Sequence, residues 1–240
     1  MKETTWNGFR RIDFVFEGRN ALLIFPSDDN KTAHWLLKTE YFTDFPNFQI
    51  EMLHRGWHLA FVENKTRWCL DEDLDIKARF AEYLHKEFSL DSRCVPVGMS
   101  CGGMQAVYLA SSYPQYVSAL YLDAPVLNLL SCPCGVGVAT TSLYAEFEKA
   151  MGLTTSDLIN YRNHPIDNVH KLIERRIPVF LVCGDSDSVV PYVENGKALA
   201  DMYRATDIPF FEVVKPNCDH HPHGLDDNTP IIEFAEKYYN

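Results

Sequence analysis

Short apolar runs alternate with longer amphipathic stretches along most of this chain. Residues 12–16 and 21–25 have the length and composition of strands, the second stopped by Pro26-Ser27-Asp28-Asp29-Asn30. The spacing over 33–43 predicts a helix and 57–62 a strand. Over 74–88, Leu74, Ala78, Ala81, Leu84 and Phe88 share one helical face. Residues 94–97 form the next apolar run, and helical spacing resumes over 102–111 until Tyr113-Pro114 ends it. Strand-like runs at 119–122, 179–183 and 210–214 then alternate with helical stretches at 194–203 and 231–239. Strand, helix, strand in this order predicts an α/β fold, a mostly parallel sheet with helices on both faces, as one domain over 1–240.

The rhythm fails between Asp123 and Pro178, where helical stretches around 144–151 and 169–175 stand instead. Insertions at the carboxyl ends of strands are where open α/β sheets place ligand contacts, so 124–178 is expected to form a helical cap over the sheet.

The formal charge of −11 argues against a nucleic-acid partner, which needs a Lys/Arg surface to displace counterions, and disfavours an anionic membrane. A neutral small-molecule substrate fits best. No stretch has the apolar length of a membrane span, and residues 1–19 lack the apolar core of a secretory signal, so a cytoplasmic location is expected. The seven cysteines are odd in number and stand mostly in or beside apolar runs, as reduced buried thiols do. Cys132-Pro133-Cys134 is too tightly spaced, and lacks the second pair, for an ordinary zinc knuckle.

The chemistry begins at Gly98-Met99-Ser100-Cys101-Gly102, a G-x-S-x-G pattern after a short apolar run and before a helix. A serine presented on so sharp a turn needs glycines two residues either side, where backbone crowding leaves no room for side chains. The Cys101 amide opens the helix, where unpaired donors can hold a developing oxyanion. The Cys101 thiol is a rival nucleophile only in principle, since its place in the motif is that of the amide donor. The run 179–183 leads into Gly184-Asp185-Ser186-Asp187-Ser188-Val189-Val190-Pro191, and Asp187 is the carboxylate expected to orient a histidine, with Asp185 and Asp123 as rivals. After the last strand-like run comes Asp219-His220-His221-Pro222-His223-Gly224-Leu225, with His220 the expected base and His221 and His223 its rivals. Cys218 and the three histidines also admit a zinc reading, set aside because adjacent histidines rarely converge on one ion. No metal or cofactor is expected.

The G-x-S-x-G elbow, the G-x-x-D-x-x-V-P turn and the H-x-P loop, in the chain order Ser, Asp, His, resemble those of the α/β-hydrolase fold. Within that fold the chain resembles bacterial esterases of an acetyl-xylan-esterase-like group. The matching pieces are Trp35 with Glu40-Tyr41-Phe42, Gly56-Trp57-His58, Leu122-Asp123-Ala124-Pro125, Pro165-Ile166-Asp167-Asn168, the 220–225 run and Pro230-Ile231-Ile232. The resemblance implies a serine esterase acting through an acyl-enzyme on a carbohydrate or other small neutral ester. Peptide or amide cleavage is the alternative within the fold, and an idle binding protein the alternative outside it. Many relatives carry His-Gly where this chain has Phe25-Pro26-Ser27-Asp28, so the second oxyanion donor is expected from Ser27 or Asp28. Trp35, Glu40, Asp123 and His221 are the expected substrate contacts.

Overall fold

The structure is a computed structural model and describes residues 1–239. Its strands are β1 (Lys2–Trp6), β2 (Phe9–Phe16), β3 (Arg19–Ile24), β4 (Trp35–Lys38), β5 (His58–Val62), β6 (Val95–Met99), β7 (Leu120–Asp123), β8 (Val179–Gly184) and β9 (Phe210–Lys215). Its helices are α1 (Asn47–His54), α2 (Asp71–Phe88), α3 (Cys101–Ser112), α4 (Tyr144–Met151), α5 (Thr155–Asn160), α6 (Val169–Glu174), α7 (Gly196–Arg204) and α8 (Thr229–Tyr238). The strands make one sheet in the order β1-β2-β3-β5-β4-β6-β7-β8-β9. β1, β2 and β3 join it antiparallel, and every pairing from β5 to β9 is parallel.

Alternation along the strands divides the core into two layers. In β4, Trp35 and Leu37 join one layer and Leu36 the other, the period of two that a strand buried on both faces requires. One layer is covered by α2, α3, α6 and α7, and the other by α1 and α8.

The largest departure from the sequence reading is at 33–43. The four residues Trp35–Lys38 are all buried and form a central strand, not a helix. Four apolar or amphipathic residues with no room for a helical turn before Thr39 are a short buried strand, which periodicity over so few positions does not separate from a helix. β1 and α1 are also elements that the sequence reading did not predict.

The stretch 124–178 has two parts. α6 lies against α3 and α7 in the place of a crossover helix between β7 and β8, not above the sheet. α4 and α5 form the excursion proper. It is pinned to the body by Glu146, which accepts from Trp68 Nε1 at 3.1 Å and pairs with Arg67, and by Phe147, whose ring meets Trp68 edge-on. No described helix is long and apolar enough to cross a membrane.

Candidate active site

β6 ends in a turn whose geometry follows from its glycines. Ser100 stands at φ 53°, ψ −121°, a conformation unfavourable for a side-chain-bearing residue, between β6 and α3. A Cβ on Gly98 would come within 2.5 Å of the Gly102 carbonyl oxygen, and one on Gly103 within 2.5 Å of Pro125 Cβ. The turn is held by the Ser100 amide, which donates to the Asp123 carbonyl at 2.9 Å, and by the Ser100 carbonyl, which accepts from Val126 N at 3.1 Å. The hydroxyl is thereby presented at the carboxyl edge of the sheet.

Two loops bring the partners to it. Asp187 lies in the turn after β8, buried, with Oδ1 accepting from Val189 N at 2.9 Å and Val190 N at 2.7 Å. Its Oδ2 lies 2.8 Å from His220 Nδ1. His220 Nε2 lies 3.0 Å from Ser100 Oγ. Asp219 ties the two loops together, accepting from Ser188 N at 2.8 Å and from His220 N at 2.7 Å. Those backbone donors hold its carboxyl below the usual range. With Nδ1 engaged by a carboxylate, His220 Nε2 is free to accept a proton from the serine. Carboxylate, imidazole and hydroxyl thus form one hydrogen-bonded chain, an arrangement able to act as orienting acid, base and nucleophile.

The Cys101 amide opens α3 beside Ser100, where helix-opening amides lack intrahelical acceptors. The Cys101 side chain is buried, and burial pushes its thiol up to about 11 against the lowering pull of Tyr41 and Arg67, so it stays protonated at neutral pH.

Ser27 is misplaced in the sequence reading. β3 runs antiparallel to β5, with Ile24 opposite Leu59, so the chain leaves β3 at the edge of the sheet opposite Ser100. Ser27 lines a separate hollow there, with Arg10, Phe25 and Lys31. The strand beside β6 is β4, parallel to it with Lys38 opposite Val97. The loop that reaches the serine is therefore the one after β4, and Tyr41, at φ 51°, lines the cavity together with Ser100 and Cys101. The sequence reading missed Tyr41 because it missed β4. The Trp35-Leu36-Leu37 run was the available signal.

Three of the four expected substrate contacts lie away from the cavity. Trp35 is core, fully buried in β4 with Nε1 donating to the Asp91 carbonyl at 2.9 Å. Glu40 is a clamp: its Oε2 accepts from Asn64 Nδ2 at 2.8 Å and Gln105 Nε2 at 2.9 Å, fastening the loop after β4 to the loop after β5 and to α3. Asp123 is buried, its carboxylate accepting from Tyr121 Oη at 3.1 Å and Gly224 N at 2.7 Å and lying 2.7 Å from His223 Nδ1. His221 does line the cavity, its ring stacked on Phe45. The cavity has a volume of about 260 Å³, with Phe45, Met99, Leu143 and Val189 on its apolar walls and Arg67 and Asp44 as its ordinarily charged residues beside the histidines. A larger hollow of about 470 Å³, lined by Arg93, Gln115 and Arg175, does not include the serine or its partners.

Among solved structures, an acylaminoacyl peptidase from Pyrococcus horikoshii superposes with a TM-score of 0.70 at 16% identity, covering 88% of this chain and 38% of that one. A puromycin hydrolase complexed with PGG gives 0.71 at 16% identity, covering 95% of this chain and 38% of that one. Both are likenesses of fold, and the chain spans 38% of the length of each. The sheet and its helices are those of the α/β-hydrolase fold. The finer resemblance to acetyl-xylan-esterase-like proteins gives way at this point, because the sequence model that matches, over residues 53–240, is that of the prolyl oligopeptidase family of serine peptidases. That match takes in the elbow, the acid turn and the histidine loop, and by it the chain belongs to the prolyl oligopeptidase family.

Proposed function

We propose that this chain hydrolyses an acyl bond of a small substrate, an amide or peptide in the first place, through an acyl-enzyme on Ser100. His220 takes the serine proton as Oγ attacks the carbonyl, returns it to the leaving amine, and then activates the water that frees the acid. Asp187 fixes the imidazole and stabilises its charged form. The amides of Cys101 and Tyr41 receive the oxyanion, the second lying three residues beyond β4, in the loop after the strand next to the nucleophile strand.

The observation that carries the reading is the unbroken chain from Asp187 Oδ2 to His220 at 2.8 Å and on to Ser100 Oγ at 3.0 Å. The family and the peptidase among its structural likenesses favour an amide over an ester. The apolar walls at Phe45, Leu143 and Val189 suit an apolar side chain on the acyl part. Esters of the same acyl groups would pass through the same intermediate.

The test is a matched panel, aminoacyl anilides against esters with identical acyl groups, turned over by wild type and by Ser100→Ala. Turnover of the anilides, highest for apolar acyl groups and absent in the variant, is expected. Turnover confined to the esters would replace the amide reading with the ester one, and turnover unchanged in Ser100→Ala would remove both.

A further inference from the structure

The geometry points to a second use of the histidine loop: His220, His221 and His223 form a Zn²⁺ site that switches the hydrolase off while the ion is bound. The loop curls so that the three rings converge, each centroid 4.9 Å from the other two, and their ligand atoms lie within 4.8 Å of one another. Adjacency in sequence argued against convergence, but the path of the loop overrides it.

Two of the rings are already arranged as metal ligands. Asp187 holds His220 at Nδ1 at 2.8 Å, and Asp123 holds His223 at Nδ1 at 2.7 Å. A carboxylate can only accept, so in the neutral rings both Nδ1 atoms carry the proton and both Nε2 atoms present a lone pair, that of His220 toward the Ser100 hydroxyl. A carboxylate behind the ring is the arrangement that orients and strengthens metal-bound histidines. The two acids also place negative charge beside the ion. The third ring, His221, is exposed and rests on Phe45 at a 14° interplanar angle, so it can swing inward. Zinc with nitrogen ligands at roughly 2.0–2.1 Å brings its donors to about 3.3–3.5 Å of one another, so the three rings close in from their present spacing, His221 as the exposed one moving most freely. Three imidazoles and a water from the cavity would complete a tetrahedral site, and imidazole nitrogen suits zinc.

Binding replaces waters of the aquo ion with Nε2 of His220, Nε2 of His223 and one ring nitrogen of His221. The Ser100 hydroxyl keeps its proton and loses its hydrogen bond to His220. The existence of the site is independent of the hydrolytic role. The switching effect rests on that role, because the ion occupies the lone pair that accepts the serine proton.

The experiment is a Co²⁺ titration of the full chain followed by visible absorption, with Zn²⁺ as competitor, run alongside the Zn²⁺ dependence of turnover. One Co²⁺ per chain with a tetrahedral band, no thiolate charge-transfer band, and displacement by one Zn²⁺ are expected. His221→Asn, an exposed position, abolishes the tetrahedral band, and Asp123→Asn weakens binding by roughly ten- to a hundredfold. Turnover falls as the site fills and returns on chelation. A thiolate band, Co²⁺ that stays octahedral, or binding indifferent to His221→Asn would overturn the site whether or not the chain is active. A filled site with turnover unchanged would overturn the switch, and an absence of turnover in metal-free protein would fault the hydrolytic reading while leaving the spectroscopic result to decide the site.

Discussion

The site contains two histidine–aspartate pairs that are nearly the same object. His220 with Asp187 and His223 with Asp123 are both buried, both joined through Nδ1, and separated by 2.8 and 2.7 Å. The carboxylates come from the ends of neighbouring strands, Asp123 from β7 and Asp187 from the turn after β8. What differs is the far side of the ring. Both acids also accept backbone amides, Asp187 from Val189 and Val190 and Asp123 from Gly224, but of the two rings it is His220 whose Nε2 reaches the hydroxyl of Ser100, at 3.0 Å. An acid–imidazole pair is thus a means of aiming a ring, and only the location of Nε2 decides whether the aim serves catalysis.

That comparison can be broken by substitution. The largest effect belongs to the shared target: Ser100→Ala lowers kcat by about 10⁴- to 10⁶-fold, read by steady-state turnover on any accepted substrate. Asp187→Asn follows, with about a 10⁴-fold loss in kcat, because the amide admits the wrong tautomer. Asp123→Asn leaves kcat within about tenfold while lowering stability by about 1–3 kcal/mol in denaturant unfolding, the consequence of disturbing a buried acceptor. Equal kinetic losses in the two Asn variants would erase the distinction.

The smaller effects sharpen it. Lys38 is fully buried, with Nζ donating to the Asp44 carbonyl at 3.2 Å. Burial lowers its ammonium to about 8, against the raising fields of Asp123 and Asp44. An unfolded lysine keeps its proton to about pH 10.4, so between the two values the unfolded chain binds more protons and stability rises with pH. Lys38→Met removes that dependence: its stability advantage or deficit relative to wild type shifts against the variant by about 2–3 kcal/mol from neutral pH to about pH 10.5. A parallel course of the two curves would contradict the burial argument. Cys101→Ala leaves turnover close to wild type, since the substitution keeps the amide proposed as oxyanion donor and removes only a buried, protonated thiol.

Legibility in the sequence followed the length of the signal. The elbow, the acid turn and the histidine loop could be read because each is a local backbone device, with glycine or proline where sterics demand it. Trp35 and Ser27 part from the structure for two reasons. Four buried residues make too short a strand for periodicity to identify, and the resemblance to relatives with His-Gly puts the second donor on the loop after β3. The register shows why it fails: β3 is antiparallel to β5 and delivers its loop to the far edge. Asp123 and Glu40 are expected as substrate contacts and lie away from the cavity, because sequence cannot tell a carboxylate facing a cavity from one consumed by backbone amides and neighbouring side chains. The convergence of the three histidines is a property of loop path, which no spacing rule carries.

The most direct measurement is the rate of fluorophosphonate labelling, followed by intact-protein and peptide mass spectrometry in wild type, Asp187→Asn and Asp123→Asn. The account predicts one label on Ser100, slowed by orders of magnitude in Asp187→Asn and little changed in Asp123→Asn. Label on another residue, or equal rates in the two Asn variants, would contradict it.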